Sequence, residues 1–303
     1  MMKKKDRLFG LITTAALAMA VPALFELLSL KGRSEEYSHI VLIPIVSAYV
    51  LYRRRSEIFS GRASAHPWGM AAVAAGLGIW AAGTFAAPGL DVRASLATLG
   101  ALLFLWGWYV MLYGKDGSRR AVFPLAFLLF AVPIPPPVME KVIAVLVVGS
   151  ACVTRLLFVV LGVPFAQEGP TFHLPGFAIE VAQECSGIRS SLALLITTVL
   201  AGHIFLRKFG SRMLLVLAVV PVALFKNAVR IVALYLLSYF VDIRIIAGGF
   251  LHRSGGFVFF GLGLVVLGAV LWLLRQGELV NSEAAAVDLT SNNKKKNEIA
   301  SRG

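Results

Sequence analysis

Charge is scarce in this sequence: 15% of its 303 residues are charged, while 58% are hydrophobic and the mean hydropathy is +0.80. Soluble domains carry about 25% charged residues, so an ordinary water-soluble chain is excluded and a polytopic membrane protein is expected. Acidic residues are scarcer still, 16 against 29 Lys and Arg, for a net charge of +13. In a membrane protein such an excess marks cytoplasmic loops, and no nucleic-acid partner is expected. Two cysteines, Cys152 and Cys185, cannot make a disulfide framework, and their spacing fits neither a CxxC redox pair nor a zinc site. Any role for either is as a single thiol, and neither metal nor cofactor is expected. A P-loop is absent, which removes ATP coupling, and no internal repeat suggests a transporter of two halves. Only 277–303 is polar and poor in aromatics. The expected organisation is an integral-membrane domain over 1–276 and a disordered cytoplasmic tail.

A crossing helix needs about 20 apolar residues. That signal recurs at Leu8–Leu30, Tyr37–Tyr52, Trp68–Ala87, Ser95–Tyr113, Val138–Val163, Ser186–Leu206, Met213–Phe240 and Phe250–Leu274. Leu8–Leu30 is longer than a signal-peptide core and lacks a small-x-small site, so it reads as a retained first helix. Basic residues cluster at Lys3 to Arg7, Arg53 to Arg62, Lys115 to Arg120, Arg207 to Arg212 and Lys294 to Lys296, whereas the intervening loops hold few. The positive-inside rule puts all those clusters on the cytoplasmic face. Parity then requires one net crossing from Ala121 to Val163, with Val132-Pro-Ile-Pro-Pro-Pro137 breaking off a short apolar piece. The expected fold is all-α, a polytopic transmembrane helical bundle of about eight crossings plus one short proline-broken segment, with both termini inside.

Pro164–Glu184 is then an outward loop, and Cys185 stands at the outer end of the helix that follows. Arg230 lies about 26 Å along an outward-running helix at 1.5 Å per residue, and His252 opens the last helix at its outer end. A thiol, a guanidinium and an imidazole from three helices thus share one depth. Those groups suit nucleophilic acyl transfer, in which a thiolate attacks a carbonyl, an imidazole moves protons and a fixed cation stabilises developing negative charge. A helix N-terminus and Arg189, four residues on, both favour a thiolate at Cys185. An intramembrane Arg is costly and so points to function, and Asn227 can orient Arg230 from i−3. Cys152, within an apolar helix, reads as packing. Glu26, Arg155, His203 and Lys226 read as interhelical pairs or interface residues, while His39 and His173 face outward as substitute bases.

Glu184-Cys-Ser-Gly-Ile-Arg-Ser190, followed by Asn227-Ala-Val-Arg230 and by His252 ahead of Gly255 and Gly256, resembles the exosortase/archaeosortase family of integral-membrane transpeptidases. The likeness extends to Tyr37-Ser-His39, to Phe127–Pro137 and to the Gly169–Phe177 loop, and its most specific part is Cys-Ser-Gly-Ile-Arg. The resemblance implies a catalytic Cys185, Arg230 and His252, supported by Arg189 and Asn227. It also implies protein substrates bearing a C-terminal motif, a transmembrane helix and a basic tail. Cleavage would pass through an acyl-enzyme thioester and send the product toward the cell surface. The expected location is the plasma membrane, multi-pass and in contact with lipid, with the active site outside the cytoplasm. The alternatives are a noncatalytic assembly factor, or a transporter for extracellular polysaccharide or anionic lipid.

Overall fold

Backbone in a hydrocarbon layer must satisfy its own hydrogen bonds, which long apolar runs achieve as helices. The computed structural model describes residues 4–30, 37–59, 67–181, 187–240 and 258–280. In chain order the helices are α1 (Lys4–Ser29), α2 (Ser38–Arg53), the single turn α3 (Arg55–Ile58), α4 (Pro67–Ala86), α5 (Leu90–Phe127), α6 (Pro136–Val160), α7 (Ile188–Phe205) and α8 (Phe209–Phe240), then α9 (Val258–Val280). Among the described residues seven are long and apolar enough to cross a bilayer: α1, α4, the Leu90–Gly114 arm of α5, α6, α7, α8 and α9. The eighth expected crossing falls on α2, which at 16 residues is apolar but shorter than those seven. The protein is an all-α, multi-pass membrane bundle. It divides into two compact units, Met1–Lys141 and Val142–Gly303.

In the first unit, α4 and α5 meet backbone to backbone. Gly69, Gly76 and Gly83 recur every seventh residue, all buried. A Cβ on Gly76 would lie 2.7 Å from the Gly100 carbonyl oxygen, and one on Gly107 would lie 2.7 Å from that of Gly69. Small residues are how membrane helices gain close packing where the hydrophobic effect no longer separates protein from solvent. Phe9, Phe59, Tyr109 and Tyr113 form an aromatic cluster, with Phe9 edge-on to both tyrosines at 5.4 and 5.8 Å. The two phenols, fully buried, donate to the Ile58 carbonyl at 2.8 Å and to Asp6 Oδ1 at 2.9 Å. Glu26 and Arg93 make one of the expected interhelical pairs, at 3.4 Å.

Two features of the middle of the chain differ from the sequence reading. Lys115–Arg120, expected as a loop, is helical; Gly114, at φ 67° and ψ −171°, turns the chain and α5 resumes beyond it. The short apolar piece is therefore the second arm of α5 plus a 3-10 turn, Leu128–Ala131. The proline run does break the chain there, and Pro136 opens α6 at a position where its missing N–H costs nothing.

Within the second unit, the stretch expected as an outward loop is a three-stranded antiparallel sheet, β1 (Ala166–Glu168), β2 (Thr171–Leu174) and β3 (Phe177–Glu180) in the order β1-β2-β3. Its two-residue turns use Gly169 at φ +59° and Gly176 at φ +93°. Alternation along β2 sends Phe172 and Leu174 inward onto Phe158 of α6 and Ile231, Val232 and Tyr235 of α8. A second core joins α7, α8 and α9 through Leu194, Val219 and Leu267. At the far end of α7, Glu278 of α9 accepts the backbone N–H groups of Arg207 and Lys208 at 2.8 and 2.9 Å, which caps the start of α8. Cys152 is exposed on α6 rather than packed inside as the sequence reading had it, because the buried face of α6 runs through Ala151, Thr154 and Phe158.

Candidate active site

α7 and α8 are joined by a short connection, so they run antiparallel. The 18 residues of α7 span about 27 Å at 1.5 Å per residue. Seventeen residues into α8, about 26 Å along, stands Lys226. The start of α7 is therefore brought beside Lys226 and Asn227 by helix lengths alone.

Gly187 caps α7 in the left-handed region, φ 69° and ψ 19°, so the helix begins two residues later than the sequence reading placed it. The Gly187 carbonyl accepts from the Ser191 N–H at 2.9 Å and from the hydroxyls of Ser190 and Ser191, each at 2.9 Å. Its α-carbon packs directly on α8: an added Cβ would sit 3.1 Å from Asn227 Oδ1 and 3.2 Å from Lys226 Nζ. Lys226 Nζ in turn donates to Ser190 Oγ. An ammonium has no acceptor, so the Ser190 proton is left for Gly187, and the chain of donors runs Lys226 to Ser190 to the Gly187 carbonyl.

α6 closes the other side of α8. Asn227 Nδ2 donates to Ser150 Oγ at 3.0 Å, and the two residues are buried. The helices approach closely because Gly149 faces Leu224, whose Cδ2 would lie 2.8 Å from a Cβ there. α9 contributes Gly263, which lies over Leu194 and the Lys226 stem, its would-be Cβ 3.5 Å from Lys226 Cδ. Four helices thus converge on a polar node inside otherwise apolar packing.

One turn beyond Lys226, Arg230 is partly buried, and its Nε is buried with no hydrogen-bond partner among the described residues. The next residues, Ile231 and Val232, belong to the core under the sheet, as does Val181, 1% exposed. The Cys185 motif is therefore flanked in sequence by two anchored points, Val181 on the sheet side and Gly187 on the helix side. Cys185 and His252 themselves lie outside the described residues.

Of the remaining sequence candidates, Arg189 is exposed on α7. His173 is half exposed beside Glu168, Nε2 to Oε2 3.7 Å. Among the described residues no group of three or more His, Cys, Asp or Glu side chains could hold a metal. Sequence reasoning takes Lys226 for an interhelical pair or interface residue and gives Ser190 and Ser150 no role. The available signal was an ammonium inside an apolar helix immediately before Asn227, and a buried intramembrane charge is a functional candidate by default.

No curated protein and no solved structure matches the chain significantly. The family described as transmembrane exosortase matches residues 31–269, a span that takes in the Cys185 motif, the polar node on α8 and His252. With most of its length covered by that match, the chain belongs to the transmembrane exosortase family.

Proposed function

We propose that this exosortase is a cysteine transpeptidase that cleaves C-terminal sorting signals of exported proteins. The observation carrying the reading is the node that ties the start of α7, two residues after Cys185 in sequence, to α8, one turn from an Arg230 whose Nε is buried with no hydrogen-bond partner among the described residues. Buried donors without partners are costly, and an acyl-transfer site uses such donors for charge that exists only during reaction.

In this mechanism the Cys185 thiolate attacks the carbonyl carbon of the scissile bond. The oxyanion of the tetrahedral intermediate is met by Arg230, which stays charged in a partly dry site. Collapse breaks the C–N bond, His252 gives its proton to the leaving amine, and the N-terminal product remains on Cys185 as a thioester. An acceptor amine or water then attacks the thioester, giving its proton to His252, and the C–S bond breaks to restore the Cys185 thiolate. Substrates are proteins ending in a short motif, a transmembrane helix and a basic tail. The enzyme sits in the plasma membrane with its site outside the cytoplasm, the arrangement that the basic-residue asymmetry supports.

The test is processing of a co-expressed precursor by Cys185→Ala, with Cys152→Ala as the control thiol. Cys185→Ala is expected to accumulate uncut precursor at normal enzyme levels, and Cys152→Ala to process normally. Full processing by Cys185→Ala removes the peptidase reading and leaves the assembly-factor or transporter alternatives.

A further inference from the structure

Lys226 is 3% exposed, and the proposed chemistry leaves it without a task. A buried ammonium is costly unless an anion or strong acceptors offset it. Its one described acceptor is the neutral Ser190 hydroxyl. The stretches of helix beside it offer no anion: residues 142–160, 188–205, 209–240 and 258–277 contain no Asp or Glu, and the acidic residues nearer the far ends of α6 and α9, Glu140 and Glu278, stand about 15 and 22 Å along from Ser150 and Gly263 at 1.5 Å per residue. The charges within those stretches are Arg155 on α6, Arg189 on α7, Arg212, Lys226 and Arg230 on α8, and Arg275 on α9, all positive, and α7 also carries the imidazole of His203. On the sheet, Glu168 and Glu180 are exposed, and Glu168 stands beside His173. Arg230, four residues away on the same helix face, adds a second positive charge to the need. A buried intramembrane charge with that cost points to function, and an anion that forms nearby would offset it.

We propose that Lys226 is a positioning residue for the Cys185 nucleophile, and that it acts in two ways. Through Ser190 it holds the Gly187 carbonyl, and so fixes the turn two residues after Cys185. Its charge adds to the positive end of α7, where the N–H groups of the first turn favour an anion, and together they favour the thiolate over the thiol. Neighbouring lysines and helix N-termini lower cysteine pKa by about one unit or more. The inference rests on the reading of Cys185 as nucleophile, but it concerns the thiol before any substrate arrives.

The test measures alkylation of Cys185 by iodoacetamide against pH, on the full-length protein in membranes. Cys152→Ala serves as background, so that Cys185 is the one thiol in the chain. Lys226→Met keeps the length of the stem and removes the charge. It is expected to raise the pH midpoint of alkylation by about one unit, which is about tenfold slower reaction at pH values below the midpoint. Lys226→Arg should recover most of the shift. An unmoved midpoint in Lys226→Met overturns the proposal, as does an equal shift in Lys226→Arg, which would trace the effect to side-chain shape. So does an unmoved midpoint accompanied by loss of processing that Glu184→Gln reproduces, since Lys226 would then be an ion-pair partner of Glu184. If Lys226→Met fails to accumulate, Ser190→Ala takes its place: a smaller upward shift supports the relay, and a wild-type profile with wild-type processing overturns it. A shifted midpoint in an enzyme whose Cys185→Ala variant still cuts precursor would sink the peptidase reading alone. The converse pattern, an unmoved midpoint with Cys185-dependent cutting, sinks only the role of Lys226.

Discussion

Gly187 is where a single missing atom decides the site. Its φ of +69° alone disfavours any other residue, since a left-handed L-residue costs about 1–2 kcal/mol. Gly169, at φ +59°, carries the same backbone penalty but has open space around it. Comparing the two isolates the contact. Gly187→Ala and Gly169→Ala should lose similar backbone stability, but only Gly187→Ala should push Asn227 and Lys226 off their partners and cut precursor processing several-fold. Equal processing by the two variants would show that the packing of Gly187 on α8 is not needed. Cys185, Arg230 and Asn227 could be picked out in the sequence because each is chemically conspicuous in an apolar context. Lys226 is equally conspicuous, but in sequence it reads as an interhelical pair or an interface residue, whose head would reach water. Only the three-dimensional packing distinguishes that from a side chain 3% exposed.

At the scale of elements, hydropathy revealed the helices and missed what lies between them. Strands of three and four residues are too short to show a period of two, so the sheet read as loop. Its turns, Gly169-Pro170 and Pro175-Gly176, were the signal available. Charges at 115–120 likewise read as a loop and hid the second arm of α5, since helix continuation past Gly114 leaves no hydropathy trace. Each element is testable through its packing. Phe172 is fully buried, with ring centroids 5.5 Å from Phe158 and 5.8 Å from Phe165. Phe172→Ala should destabilise the second unit by about 3–5 kcal/mol, the usual cost of an emptied aromatic site, seen as a lower thermal aggregation midpoint in detergent. Gly100→Leu should be worse for the first unit: a Cβ there already meets Trp80 N at 2.6 Å, with backbone on both sides and nowhere to relax. It is expected to prevent accumulation of the protein, whereas Gly78→Leu, with nothing within 4 Å, should be tolerated on the same helix pair.

For the whole molecule, the count of crossings and the orientation proposed for them stand on separate grounds. The helices follow from length and composition, while orientation rests on the basic clusters. The sheet supplies an independent constraint. Among the described residues β3 pairs with β2 alone. Pairing in a two-residue hairpin that opens at Leu174 and Phe177, and continues to the Val181 N–H on the Pro170 carbonyl at 3.0 Å, turns the N–H and C=O groups of Ala178 and Glu180 away from β2. Such an open edge cannot face lipid, so the sheet needs water or protein against it, which fits the membrane surface where the proposed orientation puts it. The α7–α8 connection, 27 Å away along α7, belongs at the opposite surface. A cysteine in place of Gly169 and one in place of Gly210, each in a chain lacking Cys152 and Cys185, should therefore label from opposite sides. In the proposed orientation the side of Gly210, with Arg207, Lys208 and Arg212 around it, is the cytoplasmic one. An impermeant maleimide added to intact cells is expected to modify Gly169→Cys at once and Gly210→Cys only after the membrane is opened. Labelling in the reverse order would invert the protein, and would place the Cys185 motif where exported substrates do not reach it.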